Sequence, residues 1–159
     1  MAEQEKKEWM DWQNTKVLQK AVVADEEGNM LVLRRVPEGP AARPDMWDLP
    51  GGSVSPQDLE DENPLIAGIK EEIRQETGFE VEEVEPVYVS SWTFTRSPGK
   101  ILGVAIGYNC KVRGVKPEAV LSPEHYQSKW CSREQLLDMD FGDDGGLHMG
   151  VIQNAIGKF

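Results

Sequence analysis

Cysteine is scarce in this chain. Cys110 and Cys131 have neither the number nor the spacing of a disulfide framework or a zinc site, so they read as reduced, structural thiols. Long apolar runs are missing too. No segment approaches the roughly 18 apolar residues of a membrane span, and the opening "MAEQEKKEWMDWQN" has no apolar run of signal-peptide type. The expectation is a soluble, cytoplasmic protein without membrane contact. Basic residues are in deficit: 17 Lys and Arg face 28 Asp and Glu, for a formal charge of -11. That balance argues against a nucleic acid polymer as partner, because polyanions are gripped by neutralising their phosphates with cations. A small phosphorylated ligand is still open if a metal carries the charge.

What is present fits one domain, since 159 residues can bury a core without staples. "KVLQKAVVA" and "MLVLRRV" are apolar runs around "DEEGN", which predicts a hairpin turning at Gly28 and Asn29. The Pro- and Gly-rich "VPEGPAARPD" predicts a loop leading to Trp47 and the "LPGG" turn, and "SVSPQDLEDE" a second loop carrying Asp58, Glu60, Asp61 and Glu62. Asn63 followed by Pro64 is an N-cap with proline at the first helical position. Leu65, Ile66, Ile69 and Ile73 then repeat on one face until Gly78 stops the helix. "VEEVEPVYVSSWTFT" and "KILGVAIGYNCKV" read as adjacent antiparallel strands about "SPGK", followed by a short strand near Lys129 to Cys131. Ser132 caps a helix in "REQLLDM", and Leu147, Val151, Ile152 and Ile156 have helical spacing. Strands before a central helix, more strands and terminal helices predict an α/β fold, a mixed sheet with helices on its faces.

On the central helix Glu72 and Glu76 lie one turn apart, where like charges repel. With the amide oxygen of Gln75 they offer the oxygen set that suits Mg²⁺ or Mn²⁺, and a bound cation would relieve the repulsion. A solvated helix face with Glu71 pairing to Arg74 or Gln75 is the alternative that spacing alone leaves equal.

The residues around the helix resemble a family signature. "LPGG" before it and "EEIRQETGF" along it resemble the Nudix hydrolase box, G-x5-E-x7-R-E-U-x-E-E-x-G-U with U apolar. Gly52, Glu72, Ile73, Glu76, Gly78 and Phe79 match. Glu71 stands where the pattern has arginine, and Gln75 where it has the first of two adjacent glutamates. Five extra residues part the first glycine from the helix, which leaves Asp58 and Glu62 both as candidates for the loop acid. The similarity continues in "KAVVADEEGNMLVLRR" and "LSPEHYQSKWCSREQLL", so it covers nearly the whole chain. It implies an α/β/α sandwich over residues 15–159, with 1–14 as an N-terminal extension, and a metal-dependent hydrolysis of a diphosphate linkage in a nucleotide derivative.

By the same resemblance Glu72 and Glu76 are metal ligands, Glu72 also a candidate base, and Glu124 a further acid able to serve as ligand or base. A backbone carbonyl of Gly51 or Gly52 completes the metal shell, since glycine permits close approach. Arg34 and Arg35 alternate along a strand, so one of the two faces a phosphate. Trp47 and Trp92 are candidates to stack on a base or to anchor the core. His125 reads as a hydrated loop residue outside the site. A homodimer agrees with the family and with general frequency. Two rival readings are a nucleotide-binding module with little or no turnover, suggested by Glu71 and Gln75, and an interaction domain using Trp9 and Trp12.

Overall fold

Two apolar layers, one on each face of a mixed sheet, organise the computed structural model, which describes residues 14–39, 43–96 and 99–156. Trp9 and Trp12 lie outside the described residues. The sheet has seven strands: β1 (Thr15–Ala24), β2 (Met30–Arg35), β3 (Trp47–Asp48), β4 (Gly51–Ser53), β5 (Glu82–Arg96), β6 (Gly99–Lys111) and β7 (His125–Cys131). Its main order is β3-β2-β1-β6-β5, with β4 added to β1 and β7 to β2. The sheet is mixed because β1 runs parallel to β6 while its other pairings are antiparallel.

Alternation along β1 and β2 divides the core. Ala21, Val23, Leu31 and Leu33 point to one face and meet Ile69 and Ile73 of helix α1 (Pro64–Thr77). Val22, Ala24, Met30 and Val32 point to the other and meet Leu136 of α2 (Arg133–Leu137) and Leu147, Val151 and Ile152 of α3 (Leu147–Ile156). The resulting architecture is the expected α/β fold with helices flanking a mixed sheet.

Local signals set the elements as expected, with two corrections. Asn63 caps α1 by accepting from the Ile66 N–H, and Gly78 ends it in the left-handed conformation at φ 78°. Ser132 and Gln135 form a reciprocal capping box on α2. The hairpin turn is tied by Asp25, whose carboxylate accepts from the backbone of Glu27, Asn29 and Lys116. Leu65, expected on the buried face of α1, is 37% exposed. At about 100° per residue the buried stripe centres on Ile66, Ile69 and Ile73, which leaves Leu65 on its rim beside Glu72. The second correction is β7, which begins at His125 rather than near Lys129. Both cysteines are free and buried, as expected, and burial pushes the Cys110 thiol up to about 12.

Candidate active site

The two glycines of "LPGG" are required by contacts rather than by a turn alone. Gly51 and Gly52 begin β4, which pairs with Gln19 and Lys20 of β1. Gly51 has φ 145°, and a Cβ there would lie 2.0 Å from the Gln19 carbonyl oxygen. A Cβ on Gly52 would meet the Glu72 carboxylate at 2.8 Å. Without side chains, β4 carries its backbone directly under the acids of α1. The Gly51 N–H donates to Glu76 Oε1 at 3.1 Å.

Glu76 is 4% exposed. Burial pushes its pKa up to about 8, with Asp48 and Glu72 adding to the rise while Lys20 and the Gly51 N–H oppose it. Glu72, half-buried, is also raised, first by burial and then by the negative charges of Glu124 and Asp58. Asp58 is therefore the loop acid that bears on the site. Its carboxylate accepts from Ser55 N and Oγ in a 3-10 turn (Pro56–Glu60) leaning on α1, whereas Glu62 is exposed.

Glu124 and His125 come to Glu76 from the start of β7. A register shift between Arg34 and Arg35 sets His125 opposite Arg35, and such irregularities re-aim side chains. Ligand atoms of Glu76, Glu124 and His125 all lie within 4.8 Å of one another. His125 Nδ1 stands 3.7 Å from Glu76 Oε2, and among the described residues neither ring nitrogen has a hydrogen-bond partner although the side chain is buried. Burial lowers the His125 pKa and so favours the neutral ring. The set fits a divalent cation: two carboxylates and an unpartnered imidazole converge where negative charge is otherwise unfavourable. The expectation of a hydrated loop histidine is thus overturned. The signal available in the sequence was two ligand types side by side, Glu124 and His125.

A second charged group adjoins the first. The Asp48 carboxylate, 1% exposed, receives Lys20 at 3.0 Å, Arg35 at 2.9 Å and Arg43 at 3.4 Å. His148 bonds it through Nε2 and bonds Asp144 through Nδ1. Burial alone would raise the Asp48 pKa, but Lys20, His148 and Arg43 hold it well below the carboxylate range. Three fixed cations on one carboxylate leave a positive surplus, and among the described residues the buried Arg35 Nε has no partner. His148, Arg43 and Asp144 also wall a cavity of about 570 Å³ with Leu18, Tyr88 and Trp92. Sequence reading missed Lys20, Asp48 and His148, whose types carry no signal until the sheet brings them together.

The remaining candidates separate. Arg35 points inward to Asp48, while Arg34 lies over the Trp47 ring at 5.4 Å and bonds the Asp45 carbonyl at 3.0 Å. Trp47 is half-buried against the core, and Trp92, 39% exposed, is a cavity wall rather than a buried anchor. Gln75 is exposed and donates to Glu71 Oε1 at 3.0 Å, and Arg74 grips the same Glu71 carboxylate. Gln75 therefore lies outside the Glu76 group.

The model of the NUDIX domain matches residues 17–148. The chain belongs to the NUDIX domain family. Similar solved structures include a MutT protein from Methanosarcina mazei Go1, with 25% identity, a TM-score of 0.63 and coverage of 91% of this chain and 94% of that one. The NUDIX domain of Shewanella oneidensis NrtR, solved with ADP ribose, has 17% identity, a TM-score of 0.64 and coverage of 94% and 90%. A Caenorhabditis elegans Ap4A hydrolase has 16% identity, a TM-score of 0.57 and coverage of 91% and 98%. The last two likenesses bear on the NUDIX fold alone. No curated protein matches the chain. Among the described residues no helix is long and apolar enough to cross a membrane.

Proposed function

We propose that this NUDIX protein is a divalent-metal-dependent hydrolase of a diphosphate linkage in a nucleotide or nucleoside-diphosphate derivative. The observation that carries the proposal is a buried acid, Glu76, held at the carboxylate end of a site whose other end is cationic. Glu72, Glu76 and Glu124, with the Gly52 backbone, are the groups to hold the cation. When bound, the cation supplies charge screening and a water of lowered pKa. Arg35, with its buried and unpartnered Nε, is the group to meet a phosphate oxygen. Glu124, exposed beside Glu76, is the alternative ligand or the base that takes a proton from water, and Glu72 is the other candidate base. The cavity bounded by Leu18, Tyr88 and Trp92 offers apolar walls to the organic part of the substrate.

The rival reading, binding with little or no turnover, draws on Gln75 and Glu71, which engage each other and Arg74 instead of enlarging the acid group. One experiment separates the two. Nucleoside triphosphates, ADP ribose, sugar nucleotides and dinucleoside polyphosphates such as Ap4A are incubated with the protein, with and without Mg²⁺ or Mn²⁺, and product masses are read. A nucleoside monophosphate formed only with metal, and lost in Glu76→Gln, is the expected result. Ligand retention without any product would select the binding module.

A further inference from the structure

The two histidines of the chain are both buried, yet they differ in how their nitrogens are used. His148 has a carboxylate on each ring nitrogen, Asp48 on Nε2 and Asp144 on Nδ1. Among the described residues His125 has no hydrogen-bond partner on either, although its side chain is only 1% exposed. Leaving a buried polar atom unpaired is costly, and an apolar side chain at the start of β7 would avoid that loss. The imidazole is also aimed. Its Nδ1 lies 3.7 Å from Glu76 Oε2, too far for a hydrogen bond but a fitting separation for two ligands of one cation. The Gly51 N–H restrains the opposite oxygen, Oε1, which keeps Oε2 turned toward the ring. Glu124 precedes His125 and brings a third donor within 4.8 Å. Its position is fixed by its own carbonyl, which accepts from the Val36 N–H at 3.1 Å.

We infer that His125 is a nitrogen ligand in a mixed site with Glu76 and Glu124, and that this donor set selects a first-row transition ion such as Mn²⁺ over Mg²⁺. Mg²⁺ takes oxygen donors in a strict octahedron and keeps much of its water, whereas imidazole nitrogen suits transition metals. A carboxylate-only site would show a smaller preference in this direction, so the directly bound nitrogen, rather than the affinity order alone, marks this ligand. The inference rests on the metal-dependent reading of the same acids, but its test reads the coordination itself.

The full chain, stripped with chelator, is loaded with substoichiometric Mn²⁺, and electron spin-echo modulation is recorded on protein with natural-abundance and with ¹⁵N-labelled histidine. The expected result is a directly bound nitrogen whose coupling changes with the isotope, and Mn²⁺ binding tighter than Mg²⁺ by calorimetry. His125→Gln should abolish the nitrogen coupling and weaken Mn²⁺ by at least the roughly 10–100-fold that loss of even an outer partner costs a metal site, with less effect on Mg²⁺. Because the wild-type isotope experiment needs no substitution, a poorly folding variant leaves the inference open to refutation. Bound Mn²⁺ without histidine coupling overturns it, and so does the absence of Mn²⁺ binding. Metal-dependent turnover without that coupling leaves the proposed hydrolase standing while this ligand fails. Coupling without turnover on any substrate does the reverse.

Discussion

Asp48 and Glu76 are both buried carboxylates, and their surroundings push them in opposite directions. Asp48 is held well below the ordinary range because Lys20, His148 and Arg43 outweigh the effect of burial. Glu76 rises to about 8 because burial dominates and its near neighbours include Asp48 and Glu72. The Asp48 carboxylate is fully paired within the protein, with cationic capacity left over at Arg35, whereas the Glu76 group has ligand atoms to spare. A carboxylate that its neighbours satisfy is architecture. A cluster that stays frustrated in an otherwise well-packed domain is a place where something binds. Lys20 joins the two, since it pairs with Asp48 at 3.0 Å and also moderates Glu76.

Asp48→Asn gives the largest expected effect. It would leave Lys20, Arg35 and Arg43 buried or half-buried without their common anion, and removal of one partner from a buried pair costs about 3–5 kcal/mol. Denaturant unfolding should show that loss. A change under about 1 kcal/mol, the range of an exposed pair, would mean the group is held by something other than its charges. Glu76→Gln is the matched opposite. Its amide oxygen still accepts from Gly51 and carries no charge to bury, so metal-free stability at neutral pH should be higher than in wild type.

Divalent ions sharpen the contrast. At about 100 times the dissociation constant, Mn²⁺ should stabilise wild type by about 2.7 kcal/mol through binding to the folded state alone. In Glu76→Gln most of that gain should vanish. Equal shifts in thermal unfolding for both proteins, at matched ionic strength, would remove Glu76 from the ligand set.

Proton linkage separates the two groups along the pH axis. Asp48 and Asp144 are held below the usual 3.8, Asp144 chiefly by hydrogen bonds from His148 against the effect of burial. Their stabilisation is present above 3.8 and is lost as the pH falls. Glu76 works the other way. The folded chain keeps its proton up to about 8 while the unfolded chain releases it near 4.5, so metal-free stability should fall between those values as pH rises. Urea titrations in chelator should show a descending limb from 4.5 to about 8 that flattens in Glu76→Gln. An identical limb in both proteins would place the titration elsewhere.

How much of this was legible beforehand follows from the range of each signal. Helix α1 was readable because Asn63, Pro64 and Gly78 act within a turn of themselves, and the one-turn spacing of Glu72 and Glu76 is a property of the helix. The edge of its buried stripe was not, since which side of Ile69 packs is decided by β1 and β2. His125 was misplaced because the start of β7 depends on its register with Arg35, 90 positions earlier. The Asp48 group was invisible for the same reason. Lys20 is 28 positions from Asp48 and His148 is 100, and only the closed sheet makes them neighbours. The family signature found Glu72 and Glu76 and missed both His125 and the Asp48 group, because it covers contiguous residues.

The smallest expected effect concerns Gln75, whose spacing leaves its amide oxygen a candidate ligand and a solvated surface group with equal weight. Its side chain is exposed and engaged with Glu71, whose carboxylate Arg74 also grips and which is lowered to about 2 by those two hydrogen bonds. Gln75→Glu would place a second carboxylate beside Glu71 and replace a donor with a repelling charge, at a cost of a few tenths of a kcal/mol for like charges at this spacing. Arg74 can be shared between them, which limits the loss. The added charge lies outside the Glu76, Glu124 and His125 group and is screened by water. Mn²⁺ affinity should therefore change by less than about threefold, the equivalent of under 1 kcal/mol. The double variant with Glu71→Arg should recover the helix-surface pair without tightening the metal, since both side chains act on the same exposed face. Titration of Mn²⁺ into the two single variants and the double decides the matter. Tightening of tenfold or more in Gln75→Glu, about 1.4 kcal/mol, would show that this side chain turns inward when the cation arrives and would enlarge the frustrated cluster by one ligand.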